Sequence, residues 1–155
     1  MAKSGISISL KGFEALLEQI KKAGKDVDAE ATRMVKEDAT IVETELKTAC
    51  KASNVPDDII NEIRKRVQSG LNVYSAEIGW ELGNYDPKNP SAGYKAIFLN
   101  YGTVRRHTAK GYDRGEIPKK PTAQQFIAQA KKKAKTKISK RHKEMLKKML
   151  GEVAE

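Results

Sequence analysis

Residues Tyr74-Ser75-Ala76-Glu77-Ile78-Gly79-Trp80-Glu81-Leu82 alternate apolar and polar or small side chains along their whole length. Successive side chains of a strand point to opposite faces. Tyr74, Ala76, Ile78, Trp80 and Leu82 therefore share one face, and Ser75, Glu77, Gly79 and Glu81 share the other. One face of the resulting sheet must be buried and one left polar. A second, shorter alternation, Ile6, Ile8 and Leu10, offers a partner strand near the N-terminus.

What covers the apolar face comes from helical periodicity. Phe13, Leu16, Leu17 and Ile20 fall at i, i+3, i+4 and i+7, and Gly24 marks a stop. Asp26 or Asp28 then opens a long helix with apolar positions Val27, Ala31, Met34, Val35, Ile41, Val42, Leu46 and Cys50. Ala31, Ala39 and Ala49 would let another helix approach closely. The acids Glu37, Asp38, Glu43 and Glu45 read as an ordinary solvated face. Pro56 followed by Asp57 and Asp58 starts a third helix. Ile59, Ile60, Ile63 and Val67 form its apolar face, and Ser69-Gly70 ends it.

After the central strand, residues 83–93 are loop chemistry throughout. Tyr94 to Tyr101 is a compact apolar segment whose length suits either a strand or a short helix. Val104 to Lys120 is a long polar stretch, of the kind that is usually functional or disordered, or else a hairpin leaving the body. Pro121 precedes a final helix with the stripe Phe126, Ile127, Ala130, Ala134, Ile138, Met145 and Met149. As one helix, Thr122 to Leu150 extends about 43 Å. Its lysine-rich distal half is expected to project or to pack on a neighbouring subunit. The fold class is α+β: a small antiparallel sheet packed against several helices, with a long C-terminal helix. We expect one domain over 1–155, with a basic helical extension from about residue 131.

Charge is concentrated. The net charge is +10, yet residues 119–148 hold twelve Lys or Arg and one acid, while the rest hold 18 bases and 19 acids. Lys131, Lys132, Lys133, Lys135, Lys140, Lys143 and Lys147 cover the side opposite the final helix's apolar stripe. Such a run serves either as a solvated face or as a contact for nucleic-acid phosphate, with an anionic membrane disfavoured for want of large apolar anchors. Lysine is a point charge, so DNA contact here would be sequence-independent; Lys131, Lys132, Lys133 and Lys135 are its candidates.

Recognisable catalytic chemistry is missing. The sequence has two histidines, His107 and His142, without a metal-ligand spacing, and they read as solvated. Cys50 is the single cysteine, so no internal disulfide forms; it sits at the end of an apolar stripe and reads as a small core residue. Neither a phosphate-binding Gly-Lys-Ser/Thr loop nor GxGxxG occurs. The expectation is a protein without enzymatic activity, metal or cofactor, made in a reducing compartment. No targeting segment or membrane span is expected, since the longest aliphatic and aromatic run is Ala96-Ile97-Phe98-Leu99.

One segment resembles a known family. Phe98-Leu99-Asn100-Tyr101-Gly102-Thr103 looks like the aromatic-Gly-Thr signature of the head–tail joining and tail-completion (neck) proteins of tailed bacteriophages. The flanking order is similar too. Lys11-Gly12-Phe13-Glu14-Ala15-Leu16-Leu17 resembles the family's opening helix, and Val73 to Trp80 its central strand. Pro121 and Phe126-Ile127-Ala128-Gln129-Ala130 resemble its closing Pro-Phe-x-x-x-Ala region. The likeness spans roughly residues 8–135. Asn100 stands where family members often have an acid. Ser53 to Ile60 replaces a Thr-Gly-x-Leu segment, and Thr122 to Gln125 separate the closing proline and phenylalanine.

The resemblance implies a structural virion protein, made in the host bacterial cytoplasm and acting as a homo-oligomeric ring beside other phage connector or tail proteins. Its implied interface residues are Tyr94, Phe98, Tyr101, Gly102, Thr103, Arg105 and Arg106. Loops 83–93 and 104–120 are expected to order against a neighbouring subunit or ring, and nonspecific contact with genomic DNA is an expected secondary role. The alternative class is a standalone sequence-independent nucleic-acid-binding protein that uses the basic helix and forms no ring.

Overall fold

The computed structural model describes residues 4–9, 14–71, 73–103, 107, 110–113 and 115–153. Its elements are β1 (Ser4–Ser9), α1 (Glu14–Lys22), α2 (Val27–Ala52), α3 (Asp57–Asn61), β2 (Arg64–Gly70), β3 (Val73–Trp80), α4 (Ala92–Tyr101), a 3-10 turn (Thr122–Gln124) and α5 (Phe126–Val153). Leu10 and the opening-helix residues Lys11, Gly12 and Phe13 lie outside the described residues.

The strand that decides the fold is central. β3 pairs antiparallel with β1 on one side and β2 on the other, in the order β1-β3-β2. Ile6 sits opposite Ile78, and Val67 opposite Ala76. Tyr74, Ala76, Ile78 and Trp80 are buried as the alternation requires, and the sheet rests on α2. Trp80 donates its indole N–H to the Ile59 carbonyl at 2.7 Å. Its ring meets Phe126 edge-on at 6.3 Å, which joins the end of β3 to the start of α5.

α2 is the organising helix. Asp26 caps it by accepting from the Ala29 N–H at 3.1 Å. Its buried face runs from Ala31 to Cys50. The Tyr74 hydroxyl donates to Asp28 and ties β3 to its first turn. Lys65 bonds Glu43 at 3.0 Å and ties β2 to its middle.

Three expectations are corrected. The third helix ends at Asn61, and residues 64–70 form a strand rather than carrying the helix through Val67. β2 is an edge strand exposed along most of its length, with Val67 alone partly buried. It therefore shows no alternation, and its pairing to β3 decides its conformation. A tight hairpin follows, in which Leu71 adopts a φ of 48° and is 99% exposed.

The second correction concerns α5. Its distal half does not project; it packs back along α2 with Ala134, His142 and Met149 buried. Glu45 meets Lys137 and Asp38 meets Arg141, so the two helices run antiparallel. The apolar stripe of α5, with Ala130, Ala134, Ile138, Met145 and Met149, joins the core, and ion pairs between residues distant in sequence align it on α2. Asp38 and Glu45 are buried, as is His142, contrary to their reading as solvated groups.

Candidate subunit-assembly surface

α4 resolves the segment whose length suited either a strand or a helix. Its neighbours hold both ends. The Ser91 hydroxyl donates to the Leu82 carbonyl at 2.7 Å just before the first turn. Gly93 lies against β3's exit: a Cβ there would stand 2.7 Å from the Glu81 carbonyl oxygen. Ala96 and Asn100 point inward and are fully buried. This leaves an outer face that is also apolar, which an isolated surface helix rarely shows.

Tyr94 and Phe98 carry that outer face, one turn apart. Tyr85, from the loop before α4, meets Tyr94 edge-on at 4.9 Å and Phe98 at 6.4 Å. Tyr101 ends the helix and is 46% exposed. The structure thus brings three of the predicted interface residues, Tyr94, Phe98 and Tyr101, to one surface and adds Tyr85. Sequence reasoning passed over Tyr85 because it stands in a Gly- and Pro-rich loop; an aromatic inside such a loop was the available signal.

Gly102 and Thr103 serve a different purpose. Gly102 has a φ of 86°, and a Cβ on it would lie 2.5 Å from the Pro118 carbonyl oxygen and 2.7 Å from that of Ile117. Glycine is therefore required twice over, by conformation and by space. Thr103 closes the joint: its N–H donates to the Ile117 carbonyl at 2.7 Å, and its hydroxyl accepts from the Ile117 N–H at 3.0 Å. Residues 115–120 are thereby fastened to the end of α4. Arg105 and Arg106 lie outside the described residues. Within the rest of the long polar segment, His107 bridges to Asp113.

Asn100 gives the motif its third role. Its Oδ1 accepts from the Ile127 N–H at 3.0 Å, capping the first turn of α5 from a position remote in sequence. Its Nδ2 has no protein partner among the described residues. Phe98 to Thr103 is thus both a structural joint and the rim of the aromatic surface.

On α5, Lys131, Lys132, Lys133 and Lys135 are all exposed. Among the described residues none has a carboxylate within ion-pair distance. Lys132 and Lys133 face away from the core, while Lys131 and Lys135 lie on the flanks of that outward face. Cys50 is fully buried, and burial pushes its thiol pKa up to about 12. It is therefore no nucleophile near neutral pH.

Among the described residues no three His, Cys, Asp or Glu side chains gather to hold a metal ion. No helix among them is long and apolar enough to cross a membrane. Compared with known proteins, the chain matches no family model, no curated protein and no solved structure.

Proposed function

We propose that the chain is a non-enzymatic virion-assembly subunit of a tailed bacteriophage, closing into a homo-oligomeric ring that joins the head to the tail or completes the tail end. The observation that carries this reading is the aromatic surface of Tyr85, Tyr94, Phe98 and Tyr101, built directly onto the Asn100-Tyr101-Gly102-Thr103 joint. Aromatics held on a helix, with Tyr85 packed against them from the preceding loop, present apolar area at little further entropic cost. Covering such area stabilises a contact by about 25 cal/mol per Å². A ring requires a heterologous contact repeated around an axis, and this patch supplies one of the two surfaces that such a contact needs.

The joint also suits a part that must dock on unlike neighbours. Residues 115–120, held by Gly102 and Thr103, connect the aromatic helix to the start of α5. A partner seated on α4 would therefore bear on both.

Negative-stain imaging and light scattering of the concentrated protein provide the test, alone and mixed with heads or tails from the same genome. Rings or particle-bound rings are expected. Tyr85→Asp with Tyr101→Asp should abolish them without lowering the melting temperature. A protein that stays monomeric at every concentration and binds neither heads nor tails overturns the proposal.

A further inference from the structure

The structure sorts the cations of α5 into two sets. Two on the side facing α2 are neutralised: Lys137 by Glu45, and Arg141 by Glu37 and Asp38. Those facing outward are not. At about 100° per residue, Lys132, Lys133, Lys140, Lys143 and Lys147 fall within roughly 100° of arc, opposite the buried positions. That arc contains no acid. Among the described residues only Lys140 has an acid within reach, Glu144 at 4.0 Å, and both side chains are largely in solvent.

We propose that this outward lysine stripe is a sequence-independent seat for the phosphate backbone of duplex nucleic acid. From Lys132 to Lys147 it runs about 22 Å along the helix, the length of roughly six base-pair steps at 3.4 Å each. The charges sit on a docked helix whose reverse side is buried at Ala130, Ala134, His142 and Met149, so they are held in line rather than carried on a loose tail. A groove of about 650 Å³ opens beside the stripe between the 3-10 turn and α5, and it is lined in part by Thr122, Gln129, Lys132 and Lys133.

Duplex is favoured over single strands because the sole aromatic of α5, Phe126, is buried, leaving nothing on this helix for unpaired bases to stack on. It is favoured over an anionic membrane because the described apolar residues of α5 mostly face the core; among the described residues Leu150 alone is a large exposed apolar side chain on it. Lysines acting as point charges give affinity without base readout. The inference stands whether or not the chain forms a ring.

The test titrates the full chain against a labelled duplex of about 30 base pairs by fluorescence anisotropy, between about 50 and 200 mM salt. The variant Lys132→Gln/Lys143→Gln/Lys147→Gln should flatten the slope of log K against log salt by about 2.7, or 0.9 per lysine removed. A control with the same charge change, Lys36→Gln/Lys51→Gln/Lys88→Gln, alters exposed lysines on other elements and should leave the slope unchanged. Equal losses in the two variants would reduce the effect to net charge and overturn the proposal. So would an unchanged slope in the stripe variant, or tighter wild-type binding to vesicles of equal phosphatidylglycerol and phosphatidylcholine than to the duplex. Thermal melts confirm that each variant is folded.

Discussion

Asp38 and His142 stand 104 residues apart in sequence, yet His142 Nε2 lies 2.7 Å from Asp38 Oδ2. Both side chains are buried, at 5% exposure for the histidine and 3% for the aspartate. The other oxygen of Asp38 is bonded by Arg141 at 2.5 Å. One carboxylate thus fastens two consecutive residues of α5 to the middle of α2, beside the Glu37–Arg141 and Glu45–Lys137 pairs that join the same two helices.

Asp38→Ala should lower stability by about 3 kcal/mol, because it removes the buried carboxylate shared by the His142 imidazole and the partly buried Arg141 guanidinium, which keeps only its contact with Glu37. Burial already disfavours the charged form of Arg141, with the nearby Arg33 adding to the effect, so its pKa is lowered. Adding His142→Leu to Asp38→Ala should recover part of the loss. Urea denaturation of the single and double variants measures both; a loss below about 1 kcal/mol for Asp38→Ala would show that the pair holds nothing.

Gly102→Ala should destabilise by about 2 kcal/mol or more, combining a left-handed backbone with a Cβ driven into the Ile117 and Pro118 carbonyls. Gly115→Ala has a similar φ, 69°, but open space around its Cβ, and should cost about 1 kcal/mol. Comparing the two melting temperatures separates crowding from backbone strain. Equal shifts would show that the 117–119 segment does not press on Gly102.

Asn100→Ala removes the cap from α5 and should cost about 1 kcal/mol, while Asn100→Asp keeps the acceptor for Ile127 and should cost less. Amide exchange offers the sharper measurement. The Ile127 N–H should lose protection in Asn100→Ala and keep it in Asn100→Asp.

Glu43 provides a pH dependence with a defined sign. The hydrogen bond from Lys47 holds its carboxyl below the usual carboxylate range, with partial burial opposing and Lys65 adding to the effect. A carboxylate with a depressed folded pKa contributes stability above its unfolded value, and loses it as pH falls through the folded one. Glu43→Gln should therefore lower stability at pH 7 and leave it unchanged at a pH below the depressed folded value. The effect should be small and should shrink with added salt, since Lys47 is partly exposed to solvent. Urea melts at the two pH values decide it; an equal deficit at both would show that the deficit is not ionic.

Cys50 should resist alkylation in the folded protein. With its thiol pKa raised to about 12 and no solvent exposure, iodoacetamide at pH 8 should modify it only on unfolding. Intact mass with and without urea shows this directly, and rapid native labelling would mean that the end of α2 opens.

Much of the architecture was legible in local pattern. The alternation from Tyr74 to Leu82 specified a strand with one buried face, and the spacing of Ala31, Met34, Val35, Val42 and Leu46 specified the buried side of α2. These signals survive in sequence because one strand or one helix face repeats at a fixed period, whatever packs against it. The half-buried aromatics Tyr94 and Phe98 and the Gly102 turn were also visible, as residue types in order.

Only the tertiary structure decided the rest. β2 has no hydrophobic period because Val67 is its one partly buried side chain, and hydrogen bonds to β3 hold it extended. Asp38 lies three residues after Val35 and four before Val42, and so on their buried face, but a carboxylate there reads as solvated until Arg141 and His142 arrive from the far end of the chain. The same holds for the lysines of α5. Their number was plain from the sequence, whereas which are neutralised and which face outward depends on acids that folding alone brings alongside. Local sequence determines which way a side chain points along its own element; the partner it meets depends on the packing of elements far apart in the chain, and burial and charge follow from that.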